Sequence, residues 1–119
     1  MNSYRDLIVW QKSIDVVEWV YKLTRKYPKE EVFGITSQMR RASISIPSNI
    51  AEGYGRRGTQ EYLRFLSIAF ASAAELQTQI EISVRLELVS SKETEVVSGL
   101  LEEVMKMLNG LRKSLLPKP

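Results

Sequence analysis

The sequence predicts an all-α protein: an antiparallel up-down-up-down four-helix bundle, one domain spanning residues 1–119. Three observations carry this. Apolar residues recur at steps of three and four in four successive stretches, strand-like alternation persists nowhere, and the turns between the stretches are short and marked by Gly and Pro. At 119 residues the chain is large enough for one core and one domain. Hydrophobic residues at 44% and charged residues at 26% are globular values and argue against disorder.

A first helix is expected from about Asp6 to Lys26, with Ser3 and Asp6 as a capping pair. Leu7, Trp10, Ile14, Val17 and Tyr21 form one apolar stripe, and Val9, Val16, Val20, Leu23 and Tyr27 form a second, nearly opposite. Together they span roughly 180°, against roughly 100° for a helix that covers a single core. Pro28 ends this helix. A second helix is expected from Thr36 to Tyr54, with the stripe Ile35, Met39, Ala42, Ile46 and Ile50. Pro47 lies inside it, lacks an N–H and clashes with the preceding turn, which predicts either a kink or two shorter helices.

Gly53, Gly55 and Gly58 mark the next turn, and Thr59 has the chemistry of an N-cap, with Glu61 complementing the helix dipole. The third helix is expected to reach about Glu87. Tyr62, Leu66, Ala69, Ala73, Leu76, Ile80 and Val84 share one arc, while Ile68, Ala71, Ile82 and Leu86 lie opposite. Small residues from Ala69 to Ala74 allow a neighbouring backbone to come close. Ser90 and Glu93 read as a capping box for the last helix. Its stripe is Val97, Leu100, Leu101, Val104, Leu108, Leu111 and Leu115, and Pro117 and Pro119 end it. Glu18–Lys22, Glu52–Arg56, Glu81–Arg85 and Glu102–Lys106 have the favourable i,i+4 order.

Apolar residues on both sides of the first and third helices predict a homo-oligomer. The interface candidates are Val9, Val16, Val20 and Leu23 on the first helix, and Ile68, Ala71, Ile82 and Leu86 on the third. The competing arrangement is a helix buried at the centre of the bundle.

The chain has neither cysteine nor histidine. Disulfides, thiolate ligands and thiol nucleophiles are therefore excluded, as are the commonest general base and the commonest transition-metal ligand. Residues 1–6 lack the progression of a signal peptide, and no apolar run approaches the roughly 18 to 20 residues of a membrane span. A cytoplasmic location without membrane contact is expected.

Gly53-Tyr54-Gly55-Arg56-Arg57-Gly58 matches G-x-G-x-x-G, but a dinucleotide site needs a preceding strand and here a helix precedes. A glycine-rich interhelical turn is the expected structure, with two arginines beside a helix start as a phosphate contact. Glu52, Glu61 and Glu75 offer a carboxylate-only site for magnesium or manganese, or more simply pair with Arg40, Arg41, Arg56 or Arg64. For Arg40-Arg41 the alternatives are phosphate binding, or one side chain held by a buried Glu with the other solvated. No catalytic residue, metal site or cofactor is expected, and hence no enzyme. Net charge is +3, and residues 1–64 carry 11 Lys/Arg against 7 Asp/Glu, whereas residues 65–119 carry 6 against 7. That basic first half is compatible with an anionic partner.

The run from Phe33 to Ala42, followed by Ser45-Ile46-Pro47-Ser48-Asn49-Ile50-Ala51-Glu52-Gly53, closely resembles the 23S rRNA intervening-sequence proteins. The opening Asp6-Leu7-Ile8-Val9-Trp10-Gln11-Lys12 and the stretch from Phe65 to Leu76 are similar to the same family, apart from Phe70-Ala71, where glycine is commoner. The resemblance covers essentially the whole chain. It implies a left-handed antiparallel bundle assembled into a ring, commonly a homopentamer. A related bundle, the accessory variability protein of diversity-generating retroelements, is a basic pentamer that associates with nucleic acid and a reverse transcriptase. By that analogy Arg40, Arg41, Asn49, Arg56 and Arg57 are the nucleic-acid-binding candidates, and Gln38, Glu52 and Glu75 a structural polar motif. The leading expectation is a non-catalytic oligomeric module that binds structured RNA or other nucleic acid through phosphates. The alternative is a scaffold that binds a protein partner.

Overall fold

The computed structural model describes residues 3–118; Met1, Asn2 and Pro119, the last of them expected to help end the final helix, lie outside the described residues. Four helices follow one another: α1 Ile8–Thr24, α2 Ile35–Tyr54, α3 Thr59–Arg85 and α4 Glu95–Leu115. Short 3-10 turns at Tyr4–Asp6, Lys29–Glu31 and Lys92–Thr94 lead into α1, α2 and α4, and no strand occurs among the described residues. Each helix packs on its sequence neighbours and α4 closes onto α1, giving a square bundle of 48 × 23 × 20 Å. Two ion pairs fix the antiparallel sense. Lys12 near the start of α1 meets Glu103 close to the middle of α4 at 2.6 Å, and Lys26 just past α1 meets Glu93 just ahead of α4 at 3.4 Å.

The stripes expected of α2, α3 and α4 build the core. Met39, Ile46 and Ile50, then Leu66, Ala73 and Leu76, then Leu101, Val104 and Leu108 are fully buried. The assignment for α1 is overturned. Val9, Val16, Val20 and Leu23, expected at an oligomer interface, point into the bundle and are buried in this chain, whereas Trp10, Ile14, Val17 and Tyr21 are half-buried at its edge. The physical reason is side-chain size. Three valines with Ser13 among them fill the inner side of α1, and the larger rings of Trp10 and Tyr21 stay at the rim. On α3 the outer residues Ile68, Ala71, Ile82 and Leu86 are exposed.

Helix ends differ from expectation at three places. Ser3 caps the 3-10 turn by accepting from the Arg5 N–H at 3.1 Å, so α1 itself starts only at Ile8, after the extended Leu7. Thr59 is the first residue of α3, not its cap; Gly58 holds the cap position with φ +88°, a left-handed conformation that glycine adopts without steric cost. At its other end α3 stops at Arg85, and Glu87 takes φ +60°. There the Leu88 N–H donates to Ser83 O at 2.9 Å and the Glu87 N–H to Val84 O at 3.0 Å, a Schellman closure built without glycine.

Other local expectations stand. Pro47 is buried inside one continuous α2, which excludes two separate helices. Ser90 and Glu93 form the capping box: the Ser90 N–H donates to Glu93 Oε1 at 3.0 Å and the Glu93 N–H to Ser90 Oγ at 3.1 Å. It caps the 3-10 turn that precedes α4. Glu52–Arg56, Glu81–Arg85 and Glu102–Lys106 pair at 3.3, 2.9 and 3.9 Å. Lys22 instead stands over the Trp19 ring, 5.0 Å from its centroid.

Candidate nucleic-acid interface

The α2–α3 turn follows directly from its sequence. Gly53 lets the two helices touch, since a Cβ there would lie 2.7 Å from Phe65 Cβ, and Gly58 turns the chain with its positive φ. The glycine motif therefore serves a helix–helix turn, as its helical context predicts. Arg56 and Arg57 lie in it, both exposed. The Arg56 guanidinium reaches back to Glu52 at 3.3 Å and lies 5.1 Å from the Phe65 centroid. Arg64, one turn into α3, pairs with Glu61 at 3.0 Å and lies 4.6 Å from the same ring. One buried phenylalanine thus carries two guanidinium groups at the bundle end. Its neighbours Tyr54 and Tyr62 meet edge to face at 6.2 Å, and burial pushes the Tyr62 hydroxyl pKa up. The hydrogen bond from Arg64 holds the Glu61 carboxyl below its ordinary range.

The fold adds cations that the chain keeps apart. The start of α1 and the end of α4 lie at this same end of the bundle, bringing Arg5, Arg112 and Lys113 to it, with Arg112 stacked 5.0 Å from the Phe70 centroid. The half of the bundle nearest the turn (residues 3–15, 45–72 and 105–118) holds nine Lys/Arg against four Asp/Glu. The opposite half (16–44 and 73–104) holds eight against ten. The net +3 is therefore +5 at one end and −2 at the other. Arg5, Arg64 and Arg112 were absent from the candidates because only the antiparallel topology brings them together. The signal available in the sequence was that the alternating helix directions superimpose residues near 5, 57, 64 and 112.

The other candidates are dispersed. Arg40 belongs to helix packing: its Nε donates to Thr24 Oγ1 at 2.9 Å and its guanidinium lies 4.4 Å from the Tyr21 centroid, so a hydroxyl and a ring hold it, not a buried Glu. Asn49 Nδ2 donates to Ser45 O at 2.8 Å and Ser45 Oγ at 2.9 Å, and Ser45 Oγ bonds Ser72 Oγ across to α3 at 2.8 Å. Arg41 is exposed and lines an open α2–α3 cleft of about 360 Å³ with Gln38, Ser45, Ser72 and Glu75. The polar motif is thus split: Gln38 and Glu75 share that cleft, while Glu52 sits at the cationic end. Glu75 also accepts from Gln79 Nε2 at 3.4 Å. Glu52, Glu61 and Glu75 do not converge, and among the described residues no group of three or more acidic side chains is placed to hold a metal ion. Among the same residues no helix is long and apolar enough to cross a membrane.

Fold and site together define a small antiparallel helical bundle with one cationic end. The chain belongs to the 23S rRNA-intervening sequence protein family, whose sequence model matches residues 5–110. Its fold is similar to that of a protein of unknown function from the S23 ribosomal protein family of Bacteroides thetaiotaomicron, known from a crystal structure. That similarity has a TM-score of 0.80 at 24% identity and covers 89% of this chain and 99% of that one. No curated protein matches this chain.

Proposed function

We propose that this protein is a non-catalytic, oligomeric module of the bacterial cytoplasm that binds structured RNA or other nucleic acid through phosphate contacts at its cationic end. The observation that carries the reading is the clustering of Arg56, Arg57, Arg64, Arg5 and Arg112 at one end of a chain whose other end is net acidic. Guanidinium groups are planar donors suited to bidentate phosphate contact. Arg56 and Arg64 are pre-oriented on Phe65, which lowers the entropy lost on binding. The resemblance to ring-forming relatives favours a homopentamer, in which five chains of +3 sum to about +15 and create a long-range attractive field for a polyanion.

The test is fluorescence anisotropy with a structured RNA from about 50 to 200 mM salt, where phosphate-driven binding falls steeply. Wild type is compared with Arg56→Ala/Arg57→Ala and with Arg41→Ala, which lies in a different cleft. The expected result is salt-sensitive binding that the double substitution weakens and Arg41→Ala leaves unchanged. Absence of binding at the lowest salt would overturn the proposal in favour of a scaffold that recruits a protein partner.

A further inference from the structure

Arg40 is half-buried, and the fold uses only part of it. Its bond to Thr24 Oγ1 at 2.9 Å and its place over the Tyr21 ring at 4.4 Å fix the plane of the guanidinium. The two terminal amino groups meet no acceptor among the described residues, and no carboxylate pairs with the charge. Arg56, Arg64 and Arg85 differ, since each of them holds a glutamate.

Arg40 lines an open recess of about 430 Å³ where the end of α1 meets the start of α2. Arg25 and Lys29 line it as well, both exposed and both outside any ion pair among the described residues. No acidic side chain lines it. Glu31 is near in sequence, but its Oε1 lies beside Gly34, 3.2 Å from where a Cβ there would stand. Three cations of the net-acidic half of the bundle thus gather at one recess without a counter-charge.

The same recess holds a polar group that the fold leaves unused. Thr36, in the first turn of α2, is 4% exposed, and its Oγ1 is buried with no hydrogen-bond partner. A buried hydroxyl in that state has lost its bond to water and gained nothing in return. Thr36 lies four residues before Arg40, so both side chains stand on one face of α2. A threonine in a helix has two accessible χ1 wells, so rotation can present this hydroxyl to a ligand.

Size and charge select the ligand. A volume of about 430 Å³ falls within the range of small-molecule sites, roughly 300–1,000 Å³. The surrounding half of the bundle is net acidic and does not draw in a polyanion as the opposite end does. Three cations suit a compact group of double negative charge, and a guanidinium beside a hydroxyl suits the several oxygens of a phosphoryl group. Pro28 and Val32 add apolar surface for whatever carries that group.

We infer that this recess binds a small phosphomonoester. Arg40 and Thr36 donate to the phosphoryl oxygens, while Arg25 and Lys29 neutralise the charge from the sides. The site is separate from the cationic end at Arg56 and Arg57 and does not depend on the nucleic-acid reading.

Isothermal titration calorimetry of the full chain tests this at constant ionic strength, with phenyl phosphate and inorganic phosphate as the probes. Wild type is expected to bind both, phenyl phosphate more tightly because its ring meets Pro28 and Val32. Arg25→Ala/Lys29→Ala changes two exposed side chains and should weaken binding at least about tenfold. Thr36→Val removes a hydroxyl that has no partner, so the free protein should melt no lower than wild type. Its affinity should nevertheless fall about tenfold, the loss of one hydrogen bond to a charged group. Arg56→Ala/Arg57→Ala should bind the probes as wild type does. A wild type that binds neither probe at millimolar concentration overturns the inference and leaves the RNA reading standing. Binding that survives Arg25→Ala/Lys29→Ala and disappears in Arg56→Ala/Arg57→Ala also overturns it, because the anion then sits at the other end.

Discussion

Gly53 and Phe65 mark a close approach of α2 and α3: a methyl group built on Gly53 would stand 2.7 Å from Phe65 Cβ and 3.1 Å from Tyr62 Cδ1. Phe65 Cβ is fixed to the α3 backbone, so it cannot swing aside as the tip of a long side chain could. The contact also sets the cationic end, because Phe65 carries the guanidinium groups of Arg56 and Arg64. A helix interior that would ordinarily gain from alanine is held to glycine by the neighbour it touches.

Gly53→Ala should therefore destabilise the protein. Overpacking costs about 1–3 kcal/mol, while the gain in helix propensity returns about 1, leaving a net loss of up to about 2 kcal/mol. Gly99 and Gly110, exposed inside α4 with open space where a Cβ would go, provide the contrast. Each should gain about 0.8–1 kcal/mol as alanine. Urea titration of the three variants decides whether close approach or propensity governs these sites. A stabilised Gly53→Ala would mean the helices separate without cost.

Glu87 sits at φ +60° in the Schellman closure of α3, a position where an L residue with a Cβ costs roughly 1–2 kcal/mol. Glycine removes that strain and loses some backbone entropy in exchange. Glu87→Gly is expected to raise stability by about 0.5–1 kcal/mol, visible as a Tm higher by about 2–4 °C. Glu87→Val should move Tm the other way, since a β-branched residue is least tolerant of this conformation.

Val16 and Ile68 were both expected on outer faces, and the structure separates them: Val16 is fully buried and Ile68 is at the surface. Val16→Asp places an unpaired carboxylate in the core and should cost about 4 kcal/mol or more, enough to abolish the cooperative transition of a marginally stable domain. Ile68→Asp should cost under about 1 kcal/mol and leave the helical circular dichroism unchanged. A folded Val16→Asp would return the valine stripe to the outer surface.

Three of the four helical faces were legible from spacing alone: α2 and α4 each had one apolar stripe, and on α3 the longer of the two stripes is the buried one. α1 was not, for a reason visible in Ser13 and Thr24. Both lie on the buried stripe, and each hydroxyl satisfies itself on its own helix, Ser13 on Trp10 O and Thr24 on Val20 O, both at 2.7 Å. A small polar residue that bonds a nearby carbonyl is cheap to bury, yet it counts as hydrophilic in any pattern of apolar positions. The stripe containing Trp10 and Tyr21 looked equally apolar and is the rim. At the candidate site, Arg56 and Arg57 could be found because they are adjacent in sequence. Arg64 and Arg112 join them only through the reversal of α3 and α4, so counting charge by sequence halves obscured the polarity that the bundle creates.

Glu93 couples the loop ahead of α4 to α1, accepting the Ser90 N–H at 3.0 Å and lying 3.4 Å from Lys26 Nζ. These donors, the Ser90 backbone N–H first, hold its carboxyl pKa below the ordinary range. A carboxylate with a depressed folded pKa stabilises the protein at pH above its unfolded value, about 4.3, and loses that contribution as pH falls through the folded one. Glu93→Gln retains a side chain able to complete the capping box and removes only the charge. The variant should therefore melt below wild type at neutral pH, with the gap closing as the pH drops below about 4. Raising salt at pH 7 should shrink the part due to Lys26, which is exposed, and leave the part due to the Ser90 N–H, a distinction that melting curves at two ionic strengths resolve. A gap that persisted unchanged at low pH would mean Glu93 acts through its shape and not its charge.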